Sequence, residues 1–467
     1  MDTRQLEKEK KELEKLDKIA AKPLPLHYLG IIMTVLTIIY IVDEITSNMN
    51  AAMQPYVLFD LFNITSRSVD SAEYKSAFNL VAPIQQISTL LMVITPFYKA
   101  LADRFGRRIF LMINTIGMGL GMLVVMTSTG VVQYIVGMVC MLFFTPNDMQ
   151  VLYIMETAPK EKRATYSFIA KGVALMSVSL IGVFSKMFLN DSDPGSWRMV
   201  YFIPVVAAVV IGGLSYFCVR ETPVFLEQRR GYLRMTPEER AAKAEEDAKN
   251  ATSEEGGVFK AIHFIFANKQ LRWIFIAGFV FFATTFYTSY YSTVLEGAMG
   301  TEMVATMLVI YPFFNGIMTI LAGMFSDKLG RKKVCLLLGS IAIVGLLLFV
   351  MACRLGLGPV VAAIGYGCSI GGLWSMSDTL ILTMPAESSP SGMRSSVMGT
   401  ISVMIGAGMF IGQFAFLGIN ALDIVPMDAL FMIICIPFMV ISLIILMTKV
   451  KETSGVDLEK VTADTFK

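Results

Sequence analysis

The sequence predicts an all-α membrane protein whose twelve transmembrane helices form two pseudo-symmetric six-helix bundles. Composition is the first reason, because 55% of the 467 residues are hydrophobic and only 16% are charged. Soluble domains carry about 25% charged residues, so this chain has too few to cover a water-exposed surface. The second reason is the recurrence of long apolar stretches, and the third is an internal repeat of charged motifs.

Each predicted span is an apolar stretch of about twenty residues, which as a helix crosses about 30 Å of hydrocarbon. The first six spans are 28–50, 77–98, 109–127, 131–155, 166–188 and 199–219. The second six are 271–294, 303–323, 333–353, 359–382, 397–419 and 427–448. The six cysteines lie within or beside these spans and form no CxxC pair, which favours apolar packing over a metal or redox role.

Lysine and arginine are concentrated in alternate connections. The connections after spans 2, 4, 6, 8 and 10 contain RFGRR, PKEKR, a long polar segment, DKLGRKK and SGMR. Those after spans 3, 5, 7, 9 and 11 contain STG, NDSDPGSW, EGAMGTE, RLGLG and ALDIVP. The positive-inside rule then predicts that the first set and both termini are cytoplasmic. We therefore expect a multi-pass protein of the plasma membrane.

Polar segments divide the chain into five parts. Residues 1–26 are charged and helix-forming and lack the apolar core of a signal peptide, so they predict a cytoplasmic leader. Residues 221–270 contain EEGG and TPEERAAKAEEDAKN, which predict a cytoplasmic linker with one or two surface helices. The linker separates an amino-terminal bundle, 27–220, from a carboxy-terminal bundle, 271–448, and 449–467 form a cytoplasmic tail.

Two charged motifs occur once in each half, in the same order and at nearly one offset. ADRFGRR after span 2 matches SDKLGRKK after span 8, and METAPKEKR after span 4 matches PAESSPSGMR after span 10. The matched residues are Asp103, Arg104, Gly106, Arg107, Arg108, Glu156 and Arg163 with Asp327, Lys328, Gly330, Arg331, Lys332, Glu387 and Arg394. Such a repeat indicates an internal duplication of six helices. Glycine allows a tight turn between helices, and arginines hold that turn at the headgroups.

These motifs also carry a family resemblance over nearly the whole chain. DRFGRR and DKLGRKK resemble the signature of the major facilitator superfamily, whose fold is a twelve-helix, six-plus-six repeat. E-x-A-P-x-x-x-R after span 4, RETPVFL after span 6 and KETSGVDLEKV after span 12 are similar to motifs of sugar porters and related organic-ion transporters. The resemblance implies that Asp103 and the other matched residues form an inner gate, closed while the transporter faces outward.

Five charged side chains fall well inside predicted spans, away from the span ends, and each costs about 2.5–3.5 kcal/mol on insertion scales. They are Asp43, Glu44, Asp148, Lys171 and Asp378. Counted from the motifs at 1.5 Å per residue, Asp148 and Lys171 lie about 12 Å deep and Asp378 about 13.5 Å deep. These three side chains are therefore expected near the midplane. An Asp148–Lys171 ion pair between neighbouring spans is the structural alternative to a substrate site.

Comparison with sugar porters bears on the substrate. Lys171 stands where those porters typically carry a sugar-binding glutamine, and FFATTFYTSYYS in span 7 resembles their QQxxGxNxxxYY. The aromatic candidates are Phe281, Phe282, Tyr287, Tyr290 and Tyr291 in span 7 and Trp374 in span 10. The resemblance thus implies that a cation and aromatic walls replace much of a hexose site. Such a site suits a carboxylate on an apolar body, while helix packing is the alternative role for the aromatics.

Asp43 falls roughly where the resemblance places a proton-coupling aspartate. A carboxyl in a low-dielectric site holds a proton more readily, and it can release that proton when the cavity alternates. Glu44 is adjacent but points about 100° away around the helix. The family's arginine in the outer half of span 4 is replaced by VVQYIVG. Asp378 is therefore an alternative proton site, or a site for a cationic substrate.

The sequence predicts a secondary transporter that moves a small organic anion by alternating access and proton symport. An organic cation or drug exporter and a sugar:proton symporter are the alternatives within transport. The short tail disfavours a non-transporting sensor. No enzyme is expected, because no metal-ligand cluster, nucleotide loop or nucleophile–base pattern is present in the sequence. We expect no cofactor besides the proton, no metal, no nucleic-acid partner, and a monomer in the lipid bilayer with a small-molecule substrate.

Overall fold

The computed structural model describes residues 3–21, 27–88, 98, 101–102, 105–145, 148–159, 163–190, 192–236, 238–240, 242, 260–390 and 394–454. Across these residues the chain is helical, with no strand assigned. Eleven helical stretches of the described chain are long and apolar enough to cross a membrane. The remaining predicted span, 77–98, begins in Ala72–Ser88, and its last third lies largely outside the described residues. The all-α, membrane-spanning class is confirmed.

The amino-terminal half holds a leader helix, the first six spans and a helix of the linker. Its helices are α1 (Thr3–Ala21), α2 (Tyr28–Leu61), α3 (Ala72–Ser88), α4 (Arg107–Met126), α5 (Val131–Phe144), α6 (Met149–Thr157), α7 (Arg163–Ser177), α8 (Ser179–Phe188), α9 (Trp197–Cys218) and α10 (Pro223–Arg234). Span 4 is α5 with α6, and span 5 is α7 with α8. Helix α4 packs closely on α9, where a Cβ at Gly119 would lie 2.8 Å from the Ala208 Cβ.

The carboxy-terminal half repeats this plan and includes two π-helical segments. Its helices are α11 (Lys269–Phe282), α12 (Tyr287–Met299), α13 (Thr301–Leu329), α14 (Arg331–Leu355), α15 (Pro359–Ser377), the π segment Asp378–Thr383, α16 (Met384–Glu387), α17 (Arg394–Ala421), α18 (Met427–Leu430), the π segment Phe431–Cys435 and α19 (Ile436–Lys449). Helices α14 and α15 approach closely, since a Cβ at Gly345 would lie 2.6 Å from the Gly365 carbonyl oxygen. Small residues at such crossings let membrane helices pack backbone to backbone.

The two halves meet along spans 5 and 8. A Cβ at Gly172 of α7 would lie 2.7 Å from the Ile320 Cδ1 of α13, and a Cβ at Gly316 would lie 2.6 Å from the Met176 Cγ. We call the end of the molecule that carries Gly106 and Gly330 the motif end, and the opposite end the far end. The functional site lies between the halves and between these two ends.

The leader packs on the linker, a contact that the sequence did not predict. Leu16 of α1 forms a small apolar cluster with Leu226 and Leu233 of α10. Arg230 Nε donates to Asp17 Oδ1 at 2.5 Å. Three further ion pairs join α1 to the linker, Arg229 with Glu12, Arg234 with Asp17 and Arg240 with Glu9. The described part of the linker contains helix α10, and α1 docks on it.

Candidate functional site

A chamber of about 420 Å³ lies between the two halves. The amino-terminal half lines it with Tyr40, Glu44, Ser47, Asn48, Asn50, Ala51, Gln85, Gln86, Leu142, Asp148, Lys171 and Leu175. The carboxy-terminal half lines it with Thr288, Ser289, Asn315, Thr319, Ile370, Trp374, Asp378 and Gln413. A cavity of this volume holds one small organic molecule. Because both halves supply its walls, any relative movement of the halves changes its shape.

Lys171 and Asp378 form an ion pair across this chamber. Lys171 Nζ donates to Asp378 Oδ2 at 2.8 Å, and the two side chains are 29% and 44% exposed. The pair joins α7 of one half to the start of the π segment of the other. The sequence had considered an Asp148–Lys171 pair within one half. In the structure the ammonium bonds to Asp378, and Asp148 lines the same chamber.

Breaks in the helices bring these charges to the chamber. Asp148 has a left-handed backbone, φ 47° and ψ 38°, immediately before α6. Aspartate tolerates this conformation better than most residues, because its short polar side chain bonds locally. Asp378 starts the π segment of span 10, and π segments are frequent at functional sites. Discontinuous membrane helices place polar groups at the midplane of many transporters.

Glu44 and Asp43 occupy different environments, as their helical positions imply. Glu44 lines the chamber, whereas Asp43 is only 5% exposed and is absent from the described lining. Gln150 Nε2 donates to Asp43 Oδ2 at 2.8 Å, and Asp43 Oδ1 has no hydrogen-bond partner among the described residues. Span 4 therefore faces Asp43 with a neutral amide. Among the described residues, no group of three or more His, Cys, Asp or Glu side chains is arranged to hold a metal ion.

Most of the aromatic candidates lie behind the chamber wall. The five from span 7, Phe281, Phe282, Tyr287, Tyr290 and Tyr291, are almost fully buried and are not among the lining residues. Tyr287 shares a hydrogen bond of 2.8 Å with Ser369, and Tyr291 stacks on Tyr366 with ring centroids 4.2 Å apart. Their neighbours Thr288 and Ser289 face the chamber instead. Span 7 is interrupted between α11 and α12. Helical periodicity counted along the sequence therefore does not predict which of its side chains line the chamber.

Trp374 is the aromatic candidate that lines the chamber, and its side chain is 38% exposed. Tyr290 lies one layer behind, because Gln86, a lining residue, donates to its hydroxyl at 2.9 Å. The aromatic contribution to the chamber is therefore smaller than the sequence predicted.

Carboxamide side chains are the lining residues that sequence reasoning missed. Six of them face the chamber, from spans 1, 2, 8 and 11: Asn48, Asn50, Gln85, Gln86, Asn315 and Gln413. The sequence does carry a signal for these residues, because a carboxamide buried in an apolar span must find a hydrogen-bond partner. Asn50 Oδ1, Asn315 Oδ1 and Gln413 Oε1 have no protein partner among the described residues. These oxygens can accept hydrogen bonds from a solute.

At the motif end, a glutamate caps the helix that follows each repeated glycine. Arg107 N–H and Arg108 N–H donate to Glu221, at 3.1 Å and 3.2 Å. Glu452 accepts in the same way from the helix that follows Gly330, at 2.8 Å from the Arg331 nitrogen and 3.2 Å from the Lys332 nitrogen. These glutamates belong to RETPVFL and KETSGVDLEKV. Each carboxylate thus satisfies N–H groups that a helix start leaves free.

The second motif supplies a matched ion pair in each half. Arg107 pairs with Glu156, and Arg331 Nε donates to Glu387 Oε1 at 3.1 Å. Thr453 Oγ1 also donates to Glu387, at 2.6 Å, so the carboxy-terminal segment is tied to both motifs. The internal repeat is therefore visible as two equivalent charge clusters.

Several predicted gate residues lie outside the described residues. Asp103 and Arg104 are not described, and the side chains of Arg163, Asp327 and Arg394 are not described either. Lys328 lies in the last turn of α13 and is exposed. Among the described residues of this end, Glu221 and Glu452 supply the carboxylates that cap the helices after the two glycines.

The halves are joined at the far end by hydrogen bonds. Tyr56 donates to Glu296 Oε2 at 2.6 Å, and Lys75 Nζ lies 2.6 Å from Asp423 Oδ1. Ser292 also donates to the Ala51 carbonyl oxygen. These contacts, which we call the far-end seal, connect spans 1 and 2 with spans 7 and 11. The two halves are therefore held together at the far end.

Two six-helix halves around a polar midplane chamber, held together at one end, are the architecture of a secondary transporter. The sequence profile of the Major Facilitator Superfamily matches residues 36–413. The chain therefore belongs to this superfamily, and it is a membrane transporter of that family rather than an enzyme. A comparison with curated proteins finds no significant match.

Solved structures share the fold at low sequence identity. The inward open conformation of the xylose transporter XylE from E. coli aligns with a TM-score of 0.64 at 17% identity, covering 92% of this chain and 99% of that one. A D-xylose-proton symporter aligns with a TM-score of 0.65 at 16% identity, covering 92% and 99%. A partially occluded, inward open XylE aligns at 0.63 and 15%, covering 93% and 100%. At this identity the likeness concerns the fold.

Proposed function

We propose that this transporter moves a small organic anion across the plasma membrane by alternating access coupled to protons. The observation that carries the proposal is the position of Lys171. It is the one cationic side chain among the described residues that line the chamber. Its partner, Asp378, is a carboxylate at 2.8 Å. A carboxylate on a solute has the same chemistry and can take the place of Asp378.

The far-end seal supports the transport cycle. In the described state, spans 1 and 2 bond to spans 7 and 11 at that end, as in Tyr56–Glu296 and Lys75–Asp423. With the motif end in the cytoplasm, as the basic loops predict, this state faces inward. Opening toward the outside must then break the seal, while the clusters around Glu221 and Glu452 approach each other. Both termini are cytoplasmic in this orientation, and the transporter acts as a monomer.

A sugar:proton symporter is the second candidate, and the carboxamide lining favours it. Carboxamides and hydroxyls such as Asn315, Gln413 and Thr288 pair well with sugar hydroxyls, and unpaired hydroxyls are strongly penalised in a buried site. Trp374 offers an aromatic face for the ring. The fold likeness to xylose transporters is consistent with this candidate.

An organic cation is the third candidate, because carboxylates outnumber amines in the chamber. Glu44, Asp148 and Asp378 are lining residues, against Lys171 alone. Span 5 lacks the GxxxGPxxGG pattern that is typical of drug/proton antiporters, and this absence from the sequence argues against export.

Ligand-induced stabilisation separates the three candidates. The purified protein is heated with aromatic and aliphatic carboxylates, neutral sugars and organic cations, each at two pH values. A ligand that binds the folded state raises the melting temperature, and the rise grows with the ratio of its concentration to its Kd. We expect carboxylates to stabilise the wild type and to lose this effect in Lys171→Gln. Lys186→Gln is the matched control, because Lys186 belongs to the same span but lies outside the chamber lining.

Other outcomes have definite meanings. Stabilisation by sugars alone, unchanged in Lys171→Gln, would reject the anion and support the second candidate. Stabilisation by cations that is lost in Glu44→Gln or Asp148→Asn would support the third.

A further inference from the structure

We propose that Asp378 carries the coupling proton, and that it does so by exchanging places with the solute carboxylate on Lys171. This inference rests on the proposed anion transport. It moves the proton site away from Asp43, which the sequence favoured, to the other half of the molecule.

Accessibility is the first argument. Asp378 lines the chamber with 44% of its side chain exposed, so protons that enter the chamber reach it directly. Asp43 is 5% exposed, lies outside the described lining and accepts a hydrogen bond from Gln150. Gln150 is neutral, so protonation of Asp43 releases no cation that could hold an anion. Protonation of Asp378 does release one.

The exchange conserves charge. In the empty state the Asp378 carboxylate and the Lys171 ammonium neutralise each other. When a proton binds, an O–H bond forms on Asp378 and its ion pair with Lys171 breaks. The solute carboxylate then forms a new ion pair with Lys171, without any covalent change to the solute. One proton therefore enters with one carboxylate, and the occupied site has the same net charge as the empty one.

The exchange also predicts that neither ligand binds well alone. Protonation of Asp378 without a solute leaves the half-buried ammonium of Lys171 without its counter-ion, which costs free energy. A solute carboxylate without a proton must compete with Asp378 and adds a negative charge to the chamber. Binding of each ligand thus favours binding of the other, which is a positive coupling free energy between two sites. A transporter with this coupling does not leak protons when solute is absent.

Other charged and titratable groups of the chamber modulate the exchange without replacing it. Glu44 and Tyr40 face it from α2, and Asp148 faces it from the break in span 4. The carboxylates of Glu44 and Asp148 lie within electrostatic reach of Lys171, and Tyr40 is a neutral phenol. The described lining residues of α3, α12, α13 and α17 are carboxamides and hydroxyls, which do not titrate. Asp378 is the carboxylate in direct contact with the ammonium.

Proton uptake on binding is the direct test. Benzoate is titrated into the purified wild type by calorimetry, in two buffers of different ionisation enthalpy, which gives the number of protons taken up per anion bound. We expect about one proton per benzoate near neutral pH, and an apparent Kd that rises about tenfold per pH unit. Asp378→Asn should bind benzoate without proton uptake and with a Kd that is independent of pH. Asp378→Glu should restore the proton uptake.

Two results would overturn the inference. One is proton uptake that persists in Asp378→Asn but vanishes in Asp43→Asn, which returns the proton to Asp43 and leaves the proposed anion transport intact. The other is loss of benzoate binding in an Asp378→Asn protein that remains folded by size-exclusion chromatography. If neither benzoate nor any other carboxylate binds the folded wild type, the proposed function itself fails, and the inference fails with it.

Discussion

The carboxylate of Glu221 lies against Gly106, where a Cβ would come within 2.8 Å of its Oε2 atom. Glu452 stands in the same relation to Gly330, at 2.6 Å. Both glycines also have positive φ, 111° and 93°. The repeated glycine therefore does two things: it allows the turn between helices, and it leaves room for a carboxylate to cap the helix that follows.

Alanine at either glycine should destabilise the folded protein. Gly106→Ala and Gly330→Ala impose a side chain on a backbone that favours glycine, and they displace the capping carboxylate. We expect a loss of about 1–3 kcal/mol in the free energy of unfolding for each. Gly130→Ala is the matched control, because Gly130 also precedes a membrane helix but is extended, with φ −159°, and has no atom within 4 Å of its Cβ position. The measurement is unfolding in detergent; equal stability of all three variants would reject the capping role.

The two caps should respond to pH with opposite signs. Burial raises the pKa of Glu221 and outweighs the backbone N–H donors. Burial also acts to raise the pKa of Glu452, but N–H donors of Ser454, Lys332, Thr453 and Arg331 outweigh it and lower that pKa. A raised pKa contributes stability below the unfolded pKa, and this contribution is lost as pH rises through the folded pKa. A lowered pKa contributes stability above the unfolded pKa, which is lost as pH falls through the folded pKa.

Glutamine variants make this difference measurable. Relative to wild type, the melting temperature of Glu221→Gln should rise as pH increases above about 4.3, because only the wild type loses stability there. The melting temperature of Glu452→Gln, again relative to wild type, should fall as pH rises toward about 4.3, because only the wild type gains stability there. Slopes of the same sign for the two variants would contradict the assignment.

Breaking the far-end seal should shift the conformational equilibrium more than the stability. Lys75 and Asp423 are 40% and 60% exposed, so Lys75→Gln should cost only about 0.2–1 kcal/mol. Because the pair joins the two halves, its loss should favour the state that is open at the far end. Spin labels at Asp70 and Ile424, both exposed at this end, should show a larger population of long distances.

Arg354→Gln is the matched control for the seal. Arg354 pairs with Asp428 at the same end, but both residues belong to the carboxy-terminal half. Its loss should leave the distance distribution unchanged. An equal shift in both variants would mean that the far end responds to any lost charge rather than to the contact between halves.

Charge reversal in the linker should release the leader. Arg230→Glu replaces one of the two arginines that donate to Asp17 with an acid, so α1 should exchange its backbone hydrogens faster. The double variant with Asp17→Arg should restore protection. The measurement is hydrogen exchange of residues 3–21 by mass spectrometry. Fast exchange in the double variant, or slow exchange in Arg230→Glu, would show that the apolar cluster around Leu16 holds α1 without these charges.

Hydropathy predicted the spans well and their interruptions poorly. The bilayer selects for apolar composition, which locates each span but is blind to backbone conformation. Helix α2 continues past the most apolar stretch to Leu61, eleven residues beyond the predicted end at residue 50. The break at Asp148 and the π segment at Asp378 do not change how apolar their spans are. Hydropathy therefore cannot locate them, and the structure does.

The site was predicted in part, and the missing part depends on packing between distant segments. Lys171, Asp148 and Asp378 were expected at one depth, and the structure gathers them in one chamber. The partner of Lys171 was sought in the neighbouring span, whereas packing of the two halves brings Asp378 to it. The caps by Glu221 and Glu452 could not be inferred, because their donors are backbone N–H groups that every sequence contains.

The position of the two capping glutamates has a practical consequence. Glu221 follows span 6 and Glu452 follows span 12, so each half ends in a segment that folds back on its own first motif. The leader and α10, which both belong to the amino-terminal half, are joined to each other by ion pairs. A chain cut between Arg240 and Lys260 thus yields two fragments that each retain these caps. Co-expressed from separate genes, the fragments should reassemble into an active carrier.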